Sequence, residues 1–319
     1  MLATLGPLPA DEDAWAYEIK WDGIRALAYV EAGALTVRSR KGLDITPRYP
    51  ELGPLAAALS GRDVILDGEI VAFDDAGLPR FERLQQRMNV TTPTRIAALA
   101  RAVPVVLEIF DLLWLDDRSR LRRPYLERRE QLAALGLNGD HWQTTAHRLG
   151  GGSDLLAASL ERGLEGIIAK RPQSTYEPGR RTRSWVKVKN TSRQELVIGG
   201  WLPGTGRRGQ RLGALLVGYY DPSERDADGR PVLRYAGKVG TGFTEAELDR
   251  LQRLLEPLAT ETSPFTGSQP ERGARFVRPE LVAEVEFTEW TRAGMLRHPS
   301  YKGLRDDKDP TEVIRETPS

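Results

Sequence analysis

Residues 18–25 constrain the fold of this chain more than any other stretch. Apolar and polar side chains alternate on both sides of an Asp-Gly pair at positions 22–23. Such alternation is typical of half-buried strands, and an Asp-Gly pair is typical of a tight turn between them. We therefore expect two strands joined by a turn. That turn would bring together an amine, a carboxylate and a guanidinium, from Lys20, Asp22 and Arg25.

Another strand-like segment, residues 64–73, carries two carboxylates, Asp67 and Glu69, within an apolar run. Side chains two positions apart on a strand point to the same face. Because burying two unpaired carboxylates is costly, we expect a metal ion, a lysine or ligand hydroxyl groups beside them. A structural salt bridge is the alternative for one of the two.

A basic cluster follows later in the chain, although the total formal charge is only +1. Residues 165–170 are a short apolar run bracketed by opposite charges, and residues 185–189 alternate in polarity. The alternation places Lys187 and Lys189 on one face, where they repel each other unless an anion lies between them. Phosphate is the simplest such anion. Residues 171–190 hold six basic side chains against one acidic, a local net charge of +5.

The amino-acid composition limits the kinds of reactive site that this protein can have and indicates its cellular location. The chain has no cysteine, which excludes disulfides, thiolate nucleophiles and cysteine zinc sites, and its three histidines show no metal-ligand spacing. Lysine is therefore the leading nucleophile type. No apolar stretch approaches the roughly 18 residues of a membrane span, and residues 1–13 lack the basic start and the long apolar run that are typical of a secretory leader. We expect a cytoplasmic, monomeric protein with no membrane partner.

The length of 319 residues predicts two domains. Residues 192–319 contain about five short strands separated by glycine-rich or polar turns, and one helix at 245–255 that Thr244 caps. This combination predicts a small β-barrel of the OB type, a fold often used to bind nucleic acids. The charged tail at 303–308 is predicted to lie outside the core.

In order and spacing, these segments resemble the nucleotidyltransferase motifs of ATP-dependent polynucleotide ligases, and in particular the ligase module of bacterial ligase D and ligase C type enzymes. One such match carries little weight, but several in a fixed order are specific. The matching segments span nearly the whole chain and are residues 20–25, 39–42, 67–69, 110–111, 165–170, 187–189 and 305–308.

The resemblance implies an α+β fold. Residues 1–191 would form a nucleotidyltransferase (ATP-grasp-like adenylation) domain of antiparallel sheets with flanking helices, and residues 192–319 an OB-fold domain. The implied activity is that of an ATP-dependent DNA ligase that seals 5′-phosphate/3′-hydroxyl nicks through a lysyl-AMP and a DNA-adenylate, in repair or end joining. The implied cofactors are ATP and Mg²⁺, or Mn²⁺. The implied partners are nicked or broken double-stranded DNA and an end-binding repair protein.

The resemblance also assigns roles by motif position. Lys20 would be the nucleophile, Phe110 and Ile168 would sandwich the adenine, and Glu69 would hold the ribose. Residues with a catalytic role would be Lys20, Asp22, Lys187 and Lys189. Residues that bind the nucleotide would be Glu18, Lys20, Arg25, Arg40, Glu69, Phe110, Ile168, Lys187, Lys189, Arg305 and Lys308, the last two at the departing pyrophosphate. Metal ligands would be Asp22, Glu69 and Glu165. DNA contacts would come from Arg40, Lys41, Arg207, Arg208 and Arg211.

The nucleophile needs activation, because a free lysine has a pKa of about 10.4. We expect positive charge from the metal ion and from Lys187 and Lys189 to activate Lys20. An mRNA-capping guanylyltransferase and an RNA ligase are the nearest enzyme alternatives, since both resemble the DNA ligases in this lysine chemistry. A non-catalytic nucleic-acid-binding protein on the same scaffold is the alternative from another class.

Overall fold

The computed structural model describes residues 1–190, 192–204, 211–226 and 228–316, without the side chain of Ser192. The chain divides into two compact units, Met1–Asn190 and Thr191–Glu316, which we call the N-terminal and C-terminal units. Within the described ranges, no helix is both long and apolar enough to cross a membrane.

The N-terminal unit combines two sheets with short helices. In chain order its strands are β1 (Leu2–Leu5), β2 (Ala16–Ile19), β3 (Ile24–Glu31), β4 (Ala34–Ser39), β5 (Val64–Ala72), β6 (Val105–Leu115), β7 (Arg118–Ser119), β8 (Asn138–Gly139), β9 (Trp142–Thr144), β10 (His147–Leu149), β11 (Gly166–Lys170) and β12 (Arg181–Lys189). Its helices are α1 (Leu55–Ala58), α2 (Phe81–Gln85), α3 (Pro93–Ala102), α4 (Tyr125–Ala134) and α5 (Gly152–Glu161).

The first sheet has five strands in the order β1-β12-β11-β2-β10, and all neighbours are antiparallel except β1 and β12. Its apolar face includes Tyr17, Ile167 and Val188, which pack with side chains of α5. The opposite face is polar. On it Ile168 lies between Glu18 of β2 and Lys187 of β12 in the strand register.

The second sheet has the order β4-β3-β5-β6-β9-β8, with β7 paired to β6. Leu66 and Ile70 of β5 point into the main hydrophobic core, beneath the short helices. Asp67 and Glu69 point to the other face, as period-2 geometry predicts. There the register sets Glu69 between Arg25 of β3 and Glu108 of β6. The polar faces of the two sheets therefore supply the residues of one site.

The C-terminal unit is mainly β, with one helix in its described part. Its strands are β13 (Ser192–Pro203), β14 (Leu212–Arg225), β15 (Pro231–Val239), β16 (Ala259–Thr260), β17 (Phe265–Thr266), β18 (Arg275–Phe287), β19 (Glu289–Trp290), β20 (Leu296–Arg297) and β21 (Ser300–Leu304), and its helix is α6 (Glu245–Leu255). The sheet order is β16-β18-β13-β14-β15-β17, with β21 beside β18 and a separate β19-β20 pair.

The four long strands and the helix of this unit were predicted, but the count of about five strands was too low. The additional strands are mostly two residues long, too short for an alternating pattern to reveal them. The predicted cap of α6 is present, because the Thr244 hydroxyl accepts a hydrogen bond from Glu247 N at 3.2 Å. The carboxylate of Glu247 accepts a hydrogen bond from the Tyr301 hydroxyl at 2.7 Å.

The prediction for the tail at 303–308 was wrong. Leu304 ends β21 and is buried, and so are Arg305 and Asp307. Charged side chains can enter a core when they pair with one another. Here the guanidinium of Arg305 binds both oxygens of Asp307, at 2.8 and 2.9 Å, and Glu284 of β18 at 2.8 Å.

Candidate active site

Lys20 lies where the chain crosses from the first sheet to the second. β2 ends at Ile19 and β3 begins at Ile24, so residues 20–23 form the crossing. The backbone N–H of Lys20 donates to the carbonyl of Gly166 at 2.9 Å. Gly23 is required by space as well as by the turn, since a Cβ there would lie 2.2 Å from the carbonyl oxygen of Ile70.

The ammonium of Lys20 contacts the carboxylate of Glu165, a buried residue just before β11. The other oxygen of Glu165 lies 3.8 Å from Nζ of Lys189. Burial opposes the charged form of Lys20, but Glu165, with help from Asp22 and Glu69, outweighs it and raises the pKa of Lys20 above its usual range. The carboxylates around Lys20 thus favour its charged form, and activation by a metal ion with Lys187 and Lys189 remains a prediction.

Arg25 is held by a buried partner on the second sheet. Its Nε and Nη2 donate to the two oxygens of Asp67 at 2.9 and 2.6 Å, and the Tyr176 hydroxyl donates to Asp67 at 2.8 Å. Burial works against ionisation of Asp67, yet Arg25 keeps the pKa of that carboxyl below its usual range. Of the two carboxylates on β5, Asp67 thus has a structural salt bridge.

Glu18 is the centre of a buried cluster on the first sheet. Its carboxylate accepts from the Tyr125 hydroxyl at 2.5 Å and pairs with Nζ of Lys170 at 2.5 Å. The Lys170 ammonium also lies 4.1 Å from the ring centroid of Trp185 and 4.6 Å from that of Phe110. Burial lowers the pKa of Lys170 despite the opposing charge of Glu18.

Sequence reasoning missed three residues of this site, namely Tyr125, Lys170 and Tyr176. Tyr125 begins α4, and a position at the start of an amphipathic helix carries no signal of a polar site. Lys170 stands two positions after Ile168, so the alternation of β11 places it on the polar face, and that signal was available. Tyr176 lies in an irregular segment, where periodicity carries no information.

The structure brings most of the predicted nucleotide-binding residues together in the N-terminal unit. Glu18, Ile168 and Lys187 are neighbours across three strands, and Glu69 lies beside Arg25. The edge of the Phe110 ring is near Trp185, with centroids 6.2 Å apart. Their individual roles toward a nucleotide remain predictions.

The predicted metal ligands Asp22, Glu69 and Glu165 all act on the charge of Lys20. Among the described residues, no group of three or more His, Cys, Asp or Glu side chains is arranged to hold a metal ion. The oxygen donors nevertheless suit Mg²⁺, which commonly binds one or two carboxylates and takes its other ligands from water and substrate phosphates. The metal assignment remains a prediction.

The predicted DNA-binding residues fall in two places. Arg40 and Lys41 lie in the turn after β4, and Lys41 is exposed. Arg207 and Arg208 lie outside the described residues. Arg211 is exposed, with Nη1 3.7 Å from Oδ1 of Asp249.

The remaining two predicted nucleotide contacts belong to the C-terminal unit. Arg305 is the buried residue bound to Asp307 and Glu284 described above. Lys308 is more accessible, with 18% of its side chain exposed, and its Nζ lies 2.7 Å from Glu195 Oε1. Their expected contact with pyrophosphate is untested.

Glu108 is a fully buried carboxyl near this site, and it accepts hydrogen bonds from two neutral side chains, Gln143 at 2.5 Å and Thr145 at 3.2 Å. Burial raises the pKa of Glu108 to about 7, although both hydrogen bonds oppose the shift.

The raised pKa of Glu108 predicts a pH-dependent stability. Between the ordinary pKa and about 7, the folded state keeps a proton that the unfolded state has lost, so stability falls as pH rises through this window. Glu108→Gln should remove this component. Relative to the wild type, the variant should gain up to about 3 kcal/mol in unfolding free energy between pH 4.5 and pH 8, at about 1.36 kcal/mol per pKa unit. Urea unfolding at both pH values measures the difference, and a constant difference contradicts the prediction.

Known proteins resemble the chain along almost its full length. Residues 8–189 match the family model of the ATP dependent DNA ligase domain, and residues 208–308 match that of the ATP dependent DNA ligase C terminal region. The multifunctional non-homologous end joining protein LigD of Mycolicibacterium smegmatis is 43% identical over 320 residues, which cover 99% of this chain and 39% of that protein. A DNA ligase of Thermococcus onnurineus is 33% identical over 313 residues, covering 93% of this chain and 52% of that protein.

A solved structure matches this chain along almost its full length. The structure described as mycobacterial DNA ligase D complexed with ATP and MES matches with a TM-score of 0.70 and 42% identity. The match covers 99% of this chain and 97% of that chain. The chain thus spans a solved ligase chain almost completely, but only about two-fifths to one-half of the curated relatives.

Proposed function

Because this chain belongs to the family of ATP-dependent DNA ligases, we propose that it seals 5′-phosphate/3′-hydroxyl nicks in DNA through a covalent lysyl-AMP. The observation that carries the proposal is the position of Lys20, at the crossing between two sheets whose polar faces supply Glu165, Lys189 and Glu69. A lysine set among carboxylates and further lysines suits attack on a phosphoryl group.

In the first step, Nζ of Lys20 forms a bond to the α-phosphorus of ATP, and the bond to the β-phosphate oxygen breaks to release pyrophosphate. The attacking nitrogen must first lose a proton to solvent, to which 20% of the Lys20 side chain is exposed, and positive charge from the metal ion, Lys187 and Lys189 would favour that loss. Next, an oxygen of the 5′-phosphate at the nick forms a bond to this phosphorus and the bond to Nζ of Lys20 breaks, which transfers AMP to the DNA and returns the amine. Finally the 3′-hydroxyl displaces AMP and closes the strand.

The charges of this site define the remaining roles. Lys187 and Lys189 stabilise the negative charge that spreads over the α-phosphate. Asp22, Glu69 and Glu165 would hold Mg²⁺ or Mn²⁺ together with nucleotide phosphates, and the ion would supply further charge neutralisation. Phe110 and Ile168 would enclose the adenine, and Glu69 the ribose. The solved relative that contains ATP supports nucleotide binding.

The DNA substrate and the pathway follow from relatives. Arg40, Lys41 and Arg211, with Arg207 and Arg208, would contact DNA phosphates, because arginine and lysine supply most such contacts. A relative bears the name of a multifunctional non-homologous end joining protein. We extend that role to this chain and propose joining of DNA breaks, with an end-binding protein as partner.

Incubation with α-labelled ATP, GTP or NAD⁺ tests the proposed function. The expected result is a labelled protein with ATP alone, and transfer of the label to nicked DNA before sealing. Labelling by GTP would instead indicate a capping-type guanylyltransferase. No adduct with any of the three, for a folded protein supplied with Mg²⁺ or Mn²⁺, would contradict the proposal.

A further inference from the structure

A chain of hydrogen bonds runs from the residue next to Lys20 into the second sheet. The indole Nε1 of Trp21 lies 3.1 Å from Oγ1 of Thr145, and that oxygen lies 3.2 Å from Oε2 of Glu108. Glu108 and Thr145 are buried. The hydrogen-bond chain ends at Gln143, whose side-chain amide donates to the other oxygen of Glu108 at 2.5 Å.

The donor and acceptor properties of these side chains determine the direction of each hydrogen bond. An indole N–H can only donate, so the Thr145 hydroxyl must accept from Trp21. Its single hydrogen is then free for Glu108, which can accept from Thr145 and from Gln143. Each group between Trp21 and Gln143 thus has a defined partner, and the indole has a defined position. The ring of Trp21 also packs edge-on against Phe73, with centroids 5.9 Å apart.

These hydrogen bonds join the two segments in which the backbone passes from one sheet to the other. Residues 20–23 connect β2 of the first sheet to β3 of the second. Residues 145–146 connect β9 of the second sheet to β10 of the first, and β10 pairs with β2. The bond from Trp21 to Thr145 ties these two crossings together. Glu108 anchors them to β6, the strand that also bears Phe110.

Thr145 also connects this chain to the cluster around Glu18. Its backbone N–H donates to the carbonyl of Ile109 at 2.8 Å, and its carbonyl accepts from Arg129. Nη1 of Arg129 lies 3.8 Å from the carboxylate of Glu18. Thr145 is therefore held by both its backbone and its side chain, which makes it a rigid support for the indole.

We infer that Trp21, Thr145 and Glu108 are positioning residues for the adenylation step. They hold residues 20–23, which connect the two sheets, so that Nζ of Lys20 meets the α-phosphate of ATP. The inference rests on the proposed function. Misplacement of a reacting group by about 1 Å can cost about 100-fold in rate without a change in binding. This hydrogen-bond chain acts on the nucleophile itself, so its loss should affect adenylation and spare the final sealing step, which does not use that amine.

Two substitutions break this hydrogen-bond chain. Thr145→Val removes the hydroxyl, and Trp21→Phe removes the indole N–H but keeps a ring against Phe73. Each should lower the single-turnover rate of lysyl-AMP formation by about 10- to 100-fold and leave the half-saturating ATP concentration within about 3-fold. Sealing of a nick that already carries 5′-AMP should stay within about 3-fold. The double variant should be no slower than the slower single variant, because both remove the same chain.

Two controls accompany these variants. Thr145→Ser keeps the hydroxyl and should adenylate at nearly the wild-type rate. Thr144→Val changes the neighbouring threonine, whose Oγ1 lies 3.5 Å from the carbonyl of Leu137 and outside the chain, and should also be nearly unchanged.

Several results would overturn the inference. Wild-type adenylation rates in Thr145→Val and Trp21→Phe would show that the chain does not position Lys20. An equal loss of adenylation and of sealing on adenylated nicks, or no rescue by Thr145→Ser, would show a general structural role. These failures differ from failure of the proposed function, in which the wild-type protein itself forms no adduct with ATP.

Discussion

Lys20→Ala and Lys20→Arg should both fail to form the protein–AMP adduct from ATP. Loss of a covalent nucleophile removes the reaction step itself, so we expect adduct formation to fall by at least about 10⁴-fold, to below detection. Arginine is the sharper variant. It can retain the ion pair with Glu165, but its guanidinium stays protonated and does not attack phosphorus.

The fold should tolerate these changes. In Lys20→Ala, Glu165 still has Lys189 3.8 Å away, and in Lys20→Arg it also keeps a cationic neighbour. Both variants should therefore seal a nick that already carries 5′-AMP, since that step does not use the Lys20 amine. Labelling by α-labelled ATP and sealing of the adenylated nick measure the two activities in parallel. If Lys20→Arg still became labelled, another residue would be the nucleophile.

Arg305→Ala should destabilise the C-terminal unit by about 3 to 5 kcal/mol, the cost of removing one partner from a buried ionic group. Arg305 is 8% exposed and is the shared partner of Asp307 and Glu284, both buried. Burial disfavours the charged form of Asp307, and the Arg305 guanidinium is the main reason that its pKa stays below the usual range. Without Arg305, two carboxylates would remain buried next to each other.

Hydrogen exchange of the backbone amides in β18 and β21 localises this effect, because Glu284 lies on β18 and Arg305 follows β21. Protection there should fall in Arg305→Ala. Lys308→Ala is the matched control, since its pair with Glu195 is partly exposed and should contribute no more than about 1 kcal/mol. Unchanged protection in Arg305→Ala would mean that the buried pairs do not stabilise this unit.

A comparison of Arg305→Ala with Lys308→Ala also separates a role in the stability of the C-terminal unit from a role in binding pyrophosphate. The resemblance implies that Arg305 and Lys308 bind departing pyrophosphate, but a loss of adenylation in Arg305→Ala would follow from destabilisation alone. Lys308→Ala avoids this ambiguity. A selective loss of adenylation in Lys308→Ala, with normal sealing of adenylated nicks, would support the pyrophosphate role.

The sequence by itself determined the family and the fold class, and it placed several candidate site residues on shared strand faces. The ordered motifs predicted an ATP-dependent ligase of α+β fold, and the comparisons confirm both. Alternation along β5 and β12 placed Asp67 with Glu69 and Lys187 with Lys189. These inferences succeeded because the period of a strand is local, so a few consecutive residues are enough to define its two faces.

Only the tertiary structure decided which partner each charged or polar side chain has. Asp67 pairs with Arg25 and Tyr176, Glu18 with Tyr125 and Lys170, and Trp21 reaches Glu108 through Thr145. The partners in these contacts lie between about 40 and 150 residues apart in the chain. Strand register and the paths of irregular segments bring them together, and neither leaves a periodic signal. The burial of Arg305 was missed in part for the same reason. Asp307 follows it in the chain, but its second buried partner, Glu284, lies on β18 and is brought beside it only by the fold.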